Sequence, residues 1–249
     1  MSKVLIIGID SLSPTLLTKF GEELPNFSRL RRMSPAVRLR SIFPPDSIPA
    51  WVTIYTGLNP AKHGLIYAQD VFGTQQRELL SFDSSRFQGK TFWDYAGSAG
   101  KKVCILFPYV AYPTWPVNGL MVARARTESK VPNAARWISE TEIQTDPREA
   151  ASEHRIPNSM RTVFGNYPGR KMLGRYAEDI WKTISNDAEF ALRICRERDW
   201  DLFFVYSYLL DTIQHFFWRY GDDSDPRYPG AGPYQDIIKD SYQIGRAHV

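Results

Sequence analysis

The sequence contains little cysteine and no long apolar run. Its 249 residues include only two cysteines, Cys104 and Cys195, which lie far apart in segments with apolar periodicity. This placement is typical of buried free thiols in a reducing compartment and argues against a disulfide framework. No stretch reaches the roughly 18 apolar residues that a membrane-spanning helix needs, and the N-terminus lacks a signal-peptide pattern. We therefore expect a cytoplasmic protein without a membrane partner.

The chain also has only a small excess of charge of one sign. The chain carries 31 basic and 27 acidic residues, a formal net charge of +4, and neither a Lys/Arg run nor a stacking array marks a nucleic-acid surface. With 43% hydrophobic and 14% aromatic residues, it can bury a full core. These features predict a globular protein without an evident nucleic-acid surface, and they leave its oligomeric state open.

Apolar segments alternate with helical ones along the chain. The continuous run 3–9 predicts a parallel strand buried on both faces, and the alternating segment 37–43 predicts a second strand. Further strands are predicted in "KVCILF", in "NGLMVA" and in "DLFFVYSY". This alternation predicts an α/β fold with a mostly parallel central sheet and helices on both faces.

Two helices are marked by local signals. In "PPDSIPAWVTIYTG" we expect Ser47 to cap a helix that has Pro49 in its early turn and ends at Gly57. A later, longer helix is predicted to place one apolar face at steps of three and four residues, formed by Ile180, Ile184, Ala188, Ala191 and Cys195.

The domain organisation follows from a loss of pattern in the middle of the chain. Residues 124–175 are polar, broken by prolines and without sustained periodicity. We interpret them as an inserted, cap-like lobe, and we assign residues 1–123 and 176–243 to one α/β core.

Candidate site residues follow three of the predicted strands. Asp10 follows the first strand, Ser47 the second, and Asp211 with His215 the strand 201–208. In open α/β sheets ligands bind at the carboxyl ends of strands, so we expect these groups to meet there. Oxygen ligands with an imidazole suit a divalent cation such as zinc or manganese, and a hydroxyl at a helix N-terminus suits an incoming phosphate.

Each candidate also has a purely structural interpretation. Asp10 can serve as a turn residue, Ser47 as a helix cap only, and Asp211 with His215 as a hydrogen-bonded pair four residues apart. Asp211 lies in an aromatic stretch, so its charge requires either a surface position or a cationic partner. His63 is expected to make a structural hydrogen bond and His154 to lie in a solvated loop. Because all four candidates are expected at one edge of the sheet, the sequence favours metal-assisted phosphoryl transfer.

Four motifs make the chain resemble a known superfamily. They are "VLIIGIDSLSPTLL" with "LPNFSRL", then "FPPDSIPAWVTIYTGLNPAKHGL", then "TFWDYAGSAGKKV" with "YPTWPVNGLMV", and finally "DWDLFFVYSYLLDTIQHFFWRY". In this order they resemble the alkaline phosphatase superfamily, in its branch of type I phosphodiesterases, nucleotide pyrophosphatases and predicted phosphohydrolases or phosphomutases. The second and last motifs are specific, whereas the first alone is weak.

The resemblance implies roles for the candidate residues. Ser47 would be the nucleophile that forms a covalent phosphoserine and contacts one metal ion, which Asp10 also binds. Asp211 and His215 would bind a second metal ion, and both ions would be zinc or manganese. The implied activity is a metal-dependent phosphohydrolase, either a phosphodiesterase or a phosphomonoesterase, that acts on a small phosphate ester.

Two departures from the family pattern, and the absence of the sulfatase motif, bear on the subfamily. Ser11 stands where the family commonly has glycine after the first aspartate. Ala68 in "IYAQD" stands where pyrophosphatases place a phosphate-binding asparagine, which favours a broader phosphohydrolase. "SIPAW" lacks the cysteine and arginine of the sulfatase motif, so a sulfatase is disfavoured.

Two other functions remain open. A phosphomutase would transfer phosphate between hydroxyls of a sugar phosphate, with the lobe closing over it through the basic residues Arg161, Arg170, Lys171 and Arg175. The other alternative is a metal-free binding module without activity.

The C-terminal residues carry a separate expectation. The resemblance implies a later Asp-His pair and a further histidine, but the sequence contains no Asp-His dipeptide and only four histidines. The terminal hexapeptide "IGRAHV", residues 244–249, is one that a codon run matching a common sequencing-library adapter would encode. We interpret it as a non-native tail on a truncated chain, and we expect incomplete metal sites and little activity.

Overall fold

The structure is a computed structural model that describes residues 2–43, 45–65, 84–111, 114–123, 137–140 and 170–243. The chain divides into two compact units. The first unit comprises Met1–Gly8, Arg40–Arg155 and Glu189–Tyr206. The second unit comprises Ile9–Leu39, Ile156–Ala188 and Ser207–Val249.

A five-stranded sheet forms the centre of the first unit. Its strands, in chain order, are β1 (Val4–Ile9), β2 (Val103–Leu106), β3 (Gly119–Ala123), β4 (Trp137–Glu140) and β5 (Leu202–Ser207). Their spatial order is β1-β5-β2-β3-β4. Strand β2 pairs in parallel with both β3 and β5, and only β4 pairs antiparallel, with β3. The prediction of a mixed α/β fold with a mostly parallel sheet is confirmed.

The central strands are apolar because both of their faces are covered. All four residues of β2 are buried, as expected for a parallel strand between two neighbours. Cys104 on β2 packs in a buried cluster with Phe203 on β5 and with Phe190 and Ile194. Both cysteines are free thiols, and burial raises the pKa of Cys104 to about 11.

Helices occur in both units. Their bounds are α1 (Pro14–Lys19), α2 (Pro25–Met33), α3 (Ser47–Thr56), α4 (Pro60–His63), α5 (Phe92–Ser98), α6 (Arg170–Glu197), α7 (Leu209–Gly221) and α8 (Ile237–Gln243). Short 3₁₀ turns occur at Gly21–Glu23 and Ser84–Arg86. None of the described helices is long and apolar enough to cross a membrane.

The long helix α6 follows the predicted apolar periodicity in most places. Ile180, Ile184 and Ala191 are buried, and Cys195 is partly buried. Ala188 was predicted on the same face but is exposed. A helix turns 100° per residue, so a face defined by steps of four drifts away from the core after several turns.

The second unit has its own core. Apolar side chains of α6, α7 and α8 pack together, among them Tyr176, Phe217 and Ile238. Two polar contacts hold α8 in place: Trp181 Nε1 donates to Ser241 Oγ at 2.9 Å, and the Ser13 N–H donates to the Tyr242 hydroxyl at 3.0 Å. This core supports α7, which carries Asp211 and His215.

Two strand predictions near the N-terminus need correction. Residues 37–43 form no strand, and Val37, Leu39 and Phe43 are 77%, 90% and 90% exposed. Strand β1 exists but is not buried on both faces, since Val4, Leu5 and Ile7 are at least half exposed. It is the first strand of the sheet and has a neighbour on one side only within the described residues. Alternating apolar residues permit a strand, but only a partner strand satisfies its backbone groups.

The middle of the chain is described only in part. The strand β4, at Trp137–Glu140, lies in a segment for which no strand was predicted. Residues 124–136, 141–169 and 244–249 are outside the described residues, so the predicted lobe and tail remain predictions.

Candidate functional site

Asp10 lies at the end of β1, in the second unit. Its N–H donates to the Ser207 carbonyl oxygen at 2.9 Å, which continues the β1 and β5 pairing by one residue. The side chain is only 9% exposed, and its Oδ1 accepts the Ser11 N–H at 3.0 Å. The structure therefore places a largely buried carboxylate at the carboxyl end of β1, where α/β sheets bind ligands.

Ser11 connects this carboxylate to α7. Its backbone is left-handed, with a φ of 55°, and its hydroxyl donates to Asp211 Oδ1 at 2.9 Å. The Ser11 carbonyl oxygen accepts a hydrogen bond from Gln214 Nε2 at 2.9 Å. The turn after β1 and the first turns of α7 are thus joined by two side-chain hydrogen bonds.

Asp211 and His215 lie one turn apart on α7. Their Oδ1 and Nε2 atoms are 3.4 Å apart, so they form the mutual interaction that was one of the two interpretations of this pair. The Asp211 side chain is 29% exposed and the His215 side chain 71% exposed, whereas Leu210, Ile213 and Phe217 on the same helix are buried. The aromatic face of α7 therefore points into the core, and the two polar side chains lie on its accessible face.

The charges around His215 favour its protonated form. The hydrogen bond with Asp211 is the largest effect and raises the pKa of His215. Burial, the next largest, lowers it, and the charges of Asp211 and Asp10 raise it further. Both carboxylates therefore place negative potential at the imidazole. This is the kind of environment that a divalent cation would neutralise.

The donor set has the chemistry of a metal site but not a full complement of ligands. Carboxylate oxygens and an imidazole nitrogen suit zinc or manganese. However, no group of three or more His, Cys, Asp or Glu side chains within the described ranges is arranged to hold a metal ion. By donor chemistry alone, Asp10 on the one hand and Asp211 with His215 on the other could each supply part of a ligand set.

Ser47 is the first residue of α3, in the first unit, and it is not the helix cap. The cap is Asp46, whose backbone is extended and whose Oδ1 accepts the Ile48 N–H at 2.9 Å. Sequence reasoning chose Ser47 because Pro49 then falls in the favoured early positions. Asp46 is also a preferred capping residue, and Pro49 is tolerated because the N–H it lacks would have no partner in the first turn. The helix ends at Gly57, as predicted, with a φ of 68°.

Helix α3 is held firmly against β1. Trp51 lies over Gly8, where an added Cβ would be 2.7 Å from the Trp51 ring. The ring also contacts Tyr206 edge-on, with centroids 4.9 Å apart, and Tyr55 at 6.0 Å. Aromatic packing of this kind fixes the position of the helix and of the serine at its start.

His63 is structural, as predicted. It is 5% exposed, its Nδ1 accepts the Leu65 N–H at 3.2 Å, and its Nε2 lies 3.1 Å from Thr53 Oγ1. Because Nδ1 accepts, the neutral ring carries its proton on Nε2. Burial lowers the pKa of His63.

Comparison with protein families gives the broadest evidence on function. The model of the family described as type I phosphodiesterase / nucleotide pyrophosphatase matches residues 4–239. The chain belongs to this family. The family is part of the alkaline phosphatase superfamily, so the predicted membership is confirmed. No curated protein matches the chain closely enough to count as a relative.

Membership in the type I phosphodiesterase family makes the chain one of a group of generally metal-dependent enzymes that hydrolyse phosphate esters of small molecules. Three of the four predicted site residues, Asp10, Asp211 and His215, occur together in the second unit. Sequence reasoning missed two contributors there, the Ser11 hydroxyl and Gln214. The departure from glycine at position 11 was the one signal that could have drawn attention to the serine.

Several residues on which the subfamily choice depends lie outside the described residues. These include Ala68 and Arg161, as well as the side chains of Arg170 and Lys171. His154, which is expected in a solvated loop, also lies outside them. Arg175 is described and is exposed on α6. The phosphomutase alternative thus gains no support from a specific contact.

Proposed function

We propose that this member of the type I phosphodiesterase family hydrolyses small phosphate esters through a covalent phosphoserine at Ser47. The observation that supports the proposal most is the family match over residues 4–239, which includes all four candidate residues. The contacts among Asp10, Ser11, Asp211 and His215 support it further, since they bring together donors from two distant segments.

In the proposed mechanism, hydrolysis proceeds in two steps at Ser47. The Ser47 hydroxyl gives its proton to solvent water, which can return one to the leaving alcohol, and the serine oxygen attacks phosphorus. The bond from phosphorus to the leaving oxygen then breaks, and the leaving alcohol takes the electron pair and a proton. Water attacks the phosphoserine in the second step, which releases the phosphate product and restores the Ser47 hydroxyl. The start of α3 favours this role because the helix dipole stabilises negative charge at its N-terminus.

Asp10, Asp211 and His215 would hold the cations, with Asp10 assigned to one ion and the other two residues to a second. Zinc is the expected metal, with manganese as the alternative. Bound divalent cations would supply the positive charge that lowers the pKa of the serine hydroxyl and stabilises the leaving oxygen. The described residues provide only part of a ligand set, so we expect slow turnover by this chain.

A substrate panel with matched variants tests the proposal. p-Nitrophenyl monoesters and diesters are supplied with zinc, manganese or magnesium, and release of p-nitrophenol is measured. Ser47→Ala should lower kcat by roughly a thousandfold, because the nucleophile is lost. Ser41→Ala, which removes an exposed hydroxyl, should not change kcat.

A second measurement does not require fast turnover. Acid quenching should trap phosphate on the chain, and mass spectrometry should place it on Ser47 in the parent and find none in Ser47→Ala. Activity of Ser47→Ala within tenfold of the parent would refute the nucleophile. Transfer of phosphate to an added sugar hydroxyl, without release of inorganic phosphate, would instead identify a phosphomutase.

A further inference from the structure

Ser11 is unusual in both its backbone and its contacts. It is one of only three described residues other than glycine with a positive φ, here 55°. Side chains with a Cβ are disfavoured in this left-handed region, and glycine adopts it without strain. The turn after Asp10 therefore calls for glycine on backbone grounds alone, and some other property must favour serine.

Serine differs from glycine by its hydroxyl, and this hydroxyl contacts Asp211 on α7. Ser11 Oγ donates to Asp211 Oδ1 at 2.9 Å, across 200 residues of sequence. The same Oδ1 lies 3.4 Å from His215 Nε2. A carboxylate that accepts a hydrogen bond from a short, turn-anchored hydroxyl is restricted to few orientations.

The main chain of Ser11 is anchored as well. Its N–H donates to Asp10 Oδ1 at 3.0 Å, and its carbonyl oxygen accepts from Gln214 Nε2 at 2.9 Å. All three polar groups of Ser11 are thus used, one on Asp10 and two on α7. The hydroxyl cannot move without moving the turn, and the turn is tied to the helix that carries Asp211.

We propose that Ser11 is a positioning residue that orients the Asp211 and Asp10 carboxylates together for cation binding. This inference rests on the proposed function, in which both aspartates bind divalent cations. Groups that hydrogen-bond metal ligands orient them and strengthen binding, and their loss commonly weakens metal affinity by 10- to 100-fold. Ser11 would do this for two ligands from separate segments.

Cation binding to the 249-residue chain tests the proposal without any need for turnover. Calorimetric titration with MnCl₂ and with ZnCl₂ gives the affinity, and the cation-induced rise in Tm gives an independent measure. Ser11→Gly keeps the left-handed backbone and removes only the hydroxyl. We expect it to fold with a Tm close to the parent and to bind cations about tenfold more weakly.

Two further variants test whether a change in cation affinity comes from loss of the hydroxyl or from a less rigid turn. Asparagine tolerates a left-handed backbone and carries a side-chain donor, so Ser11→Asn should restore affinity to within about threefold of the parent. Ser13 lies in the same turn, but its hydroxyl accepts the Leu16 N–H and caps α1. Ser13→Ala should therefore bind cations as the parent does.

The outcomes separate a failure of this inference from a failure of the proposed function on which it rests. If Asp211→Asn abolishes binding while Ser11→Gly binds like the parent, the role of Ser11 is wrong and the proposed metal site stands. If Ser13→Ala weakens binding as much as Ser11→Gly does, the effect is loosening of the turn and the positioning role is also wrong. If the parent binds no cation, the metal-dependent function fails, and the inference fails with it.

Discussion

Asp46 and Ser47 share the first turn of α3 but have different tasks. The Asp46 carboxylate accepts the Ile48 N–H, which would otherwise have no partner at the start of the helix. Its negative charge also lies beside the positive end of the helix dipole. The proposed nucleophile is therefore carried by a helix whose start is stabilised by its neighbour.

We predict that the capping bond, and not the charge, is what α3 requires. Asp46→Ala should lower the free energy of unfolding by about 1 kcal/mol, because the cap is lost. Asp46→Asn keeps an acceptor oxygen and should remain within a few tenths of a kcal/mol of the parent. Urea unfolding of the three proteins measures both changes. Equal loss in the two variants would show that the charge contributes most of the stabilisation.

From the buried position of His63 we predict that the stability of the protein depends on pH. Burial lowers its pKa below the ordinary value of 6.5, so the unfolded chain binds a proton more readily than the folded one. The stabilisation from neutral His63 is complete above the unfolded pKa and is lost as the pH falls below it. Between about pH 7.5 and pH 5 the parent should therefore lose more stability than His63→Gln, which cannot titrate.

The measurement is a difference between two proteins. The pKa of His215 is raised, so it contributes a slope of the opposite sign. Both proteins contain His215, and its contribution cancels when their unfolding free energies are subtracted at each pH. Parallel curves for parent and His63→Gln would contradict the buried, neutral state of His63.

The sequence predicted the proximity of Asp10, Asp211 and His215 better than the contacts that connect them. Asp10, Asp211 and His215 were predicted from strand ends, because the carboxyl ends of parallel strands share one edge. The Ser11 hydroxyl was missed, because its direction depends on one left-handed backbone conformation that serine rarely adopts. Ser47 was misassigned as a cap because two adjacent capping residues compete at one helix start.

At the scale of elements, the packing of α3 on β1 depends on one glycine. A Cβ at Gly8 would lie 2.7 Å and 2.9 Å from two atoms of the Trp51 ring. Gly8→Ala should lower the free energy of unfolding by about 1 to 3 kcal/mol, because the ring contacts Tyr55 and Tyr206 and has little room to shift. Thermal and urea unfolding both report this change.

Gly21→Ala is the matched control for that substitution. Nothing lies within 4 Å of a Cβ added there, and the residue lies in a 3₁₀ turn. The change should be neutral or stabilise by up to about 1 kcal/mol, because alanine restricts the unfolded chain. Similar destabilisation by both variants would mean that the Trp51 contact is not the cause.

Whether a strand was predicted correctly depends on how far its own residues, and not a distant partner strand, determine it. Strands β2, β3 and β5 were predicted correctly from their continuous apolar runs, which are typical of parallel strands covered on both faces. The similar run of β1 also forms a strand, but an exposed one. Segment 37–43 has a strand pattern but no strand, and β4 is a strand without a recognised pattern. In both cases the presence of a pairing partner decides the outcome, and a partner is not a local property.

At the scale of the whole molecule, the chain forms two compact units, and each contains part of the proposed chemistry. The first unit holds Ser47 at the start of α3, and the second holds Asp10, Asp211 and His215. Boundaries between the units fall directly after Gly8 in β1 and after Tyr206 in β5.

The exposed edge of the sheet leads to a prediction about association. Within the described residues β1 has one neighbouring strand, and Leu5 and Ile7 are 51% and 60% exposed. Exposed apolar edge strands pair with other chains, and lysine on the edge opposes this. Ile7→Lys should therefore reduce light scattering at high protein concentration, with little change in Tm. Met33→Lys removes an apolar side chain that is 70% exposed on α2 and adds the same charge. If it reduces scattering equally, charge and not the strand edge controls association.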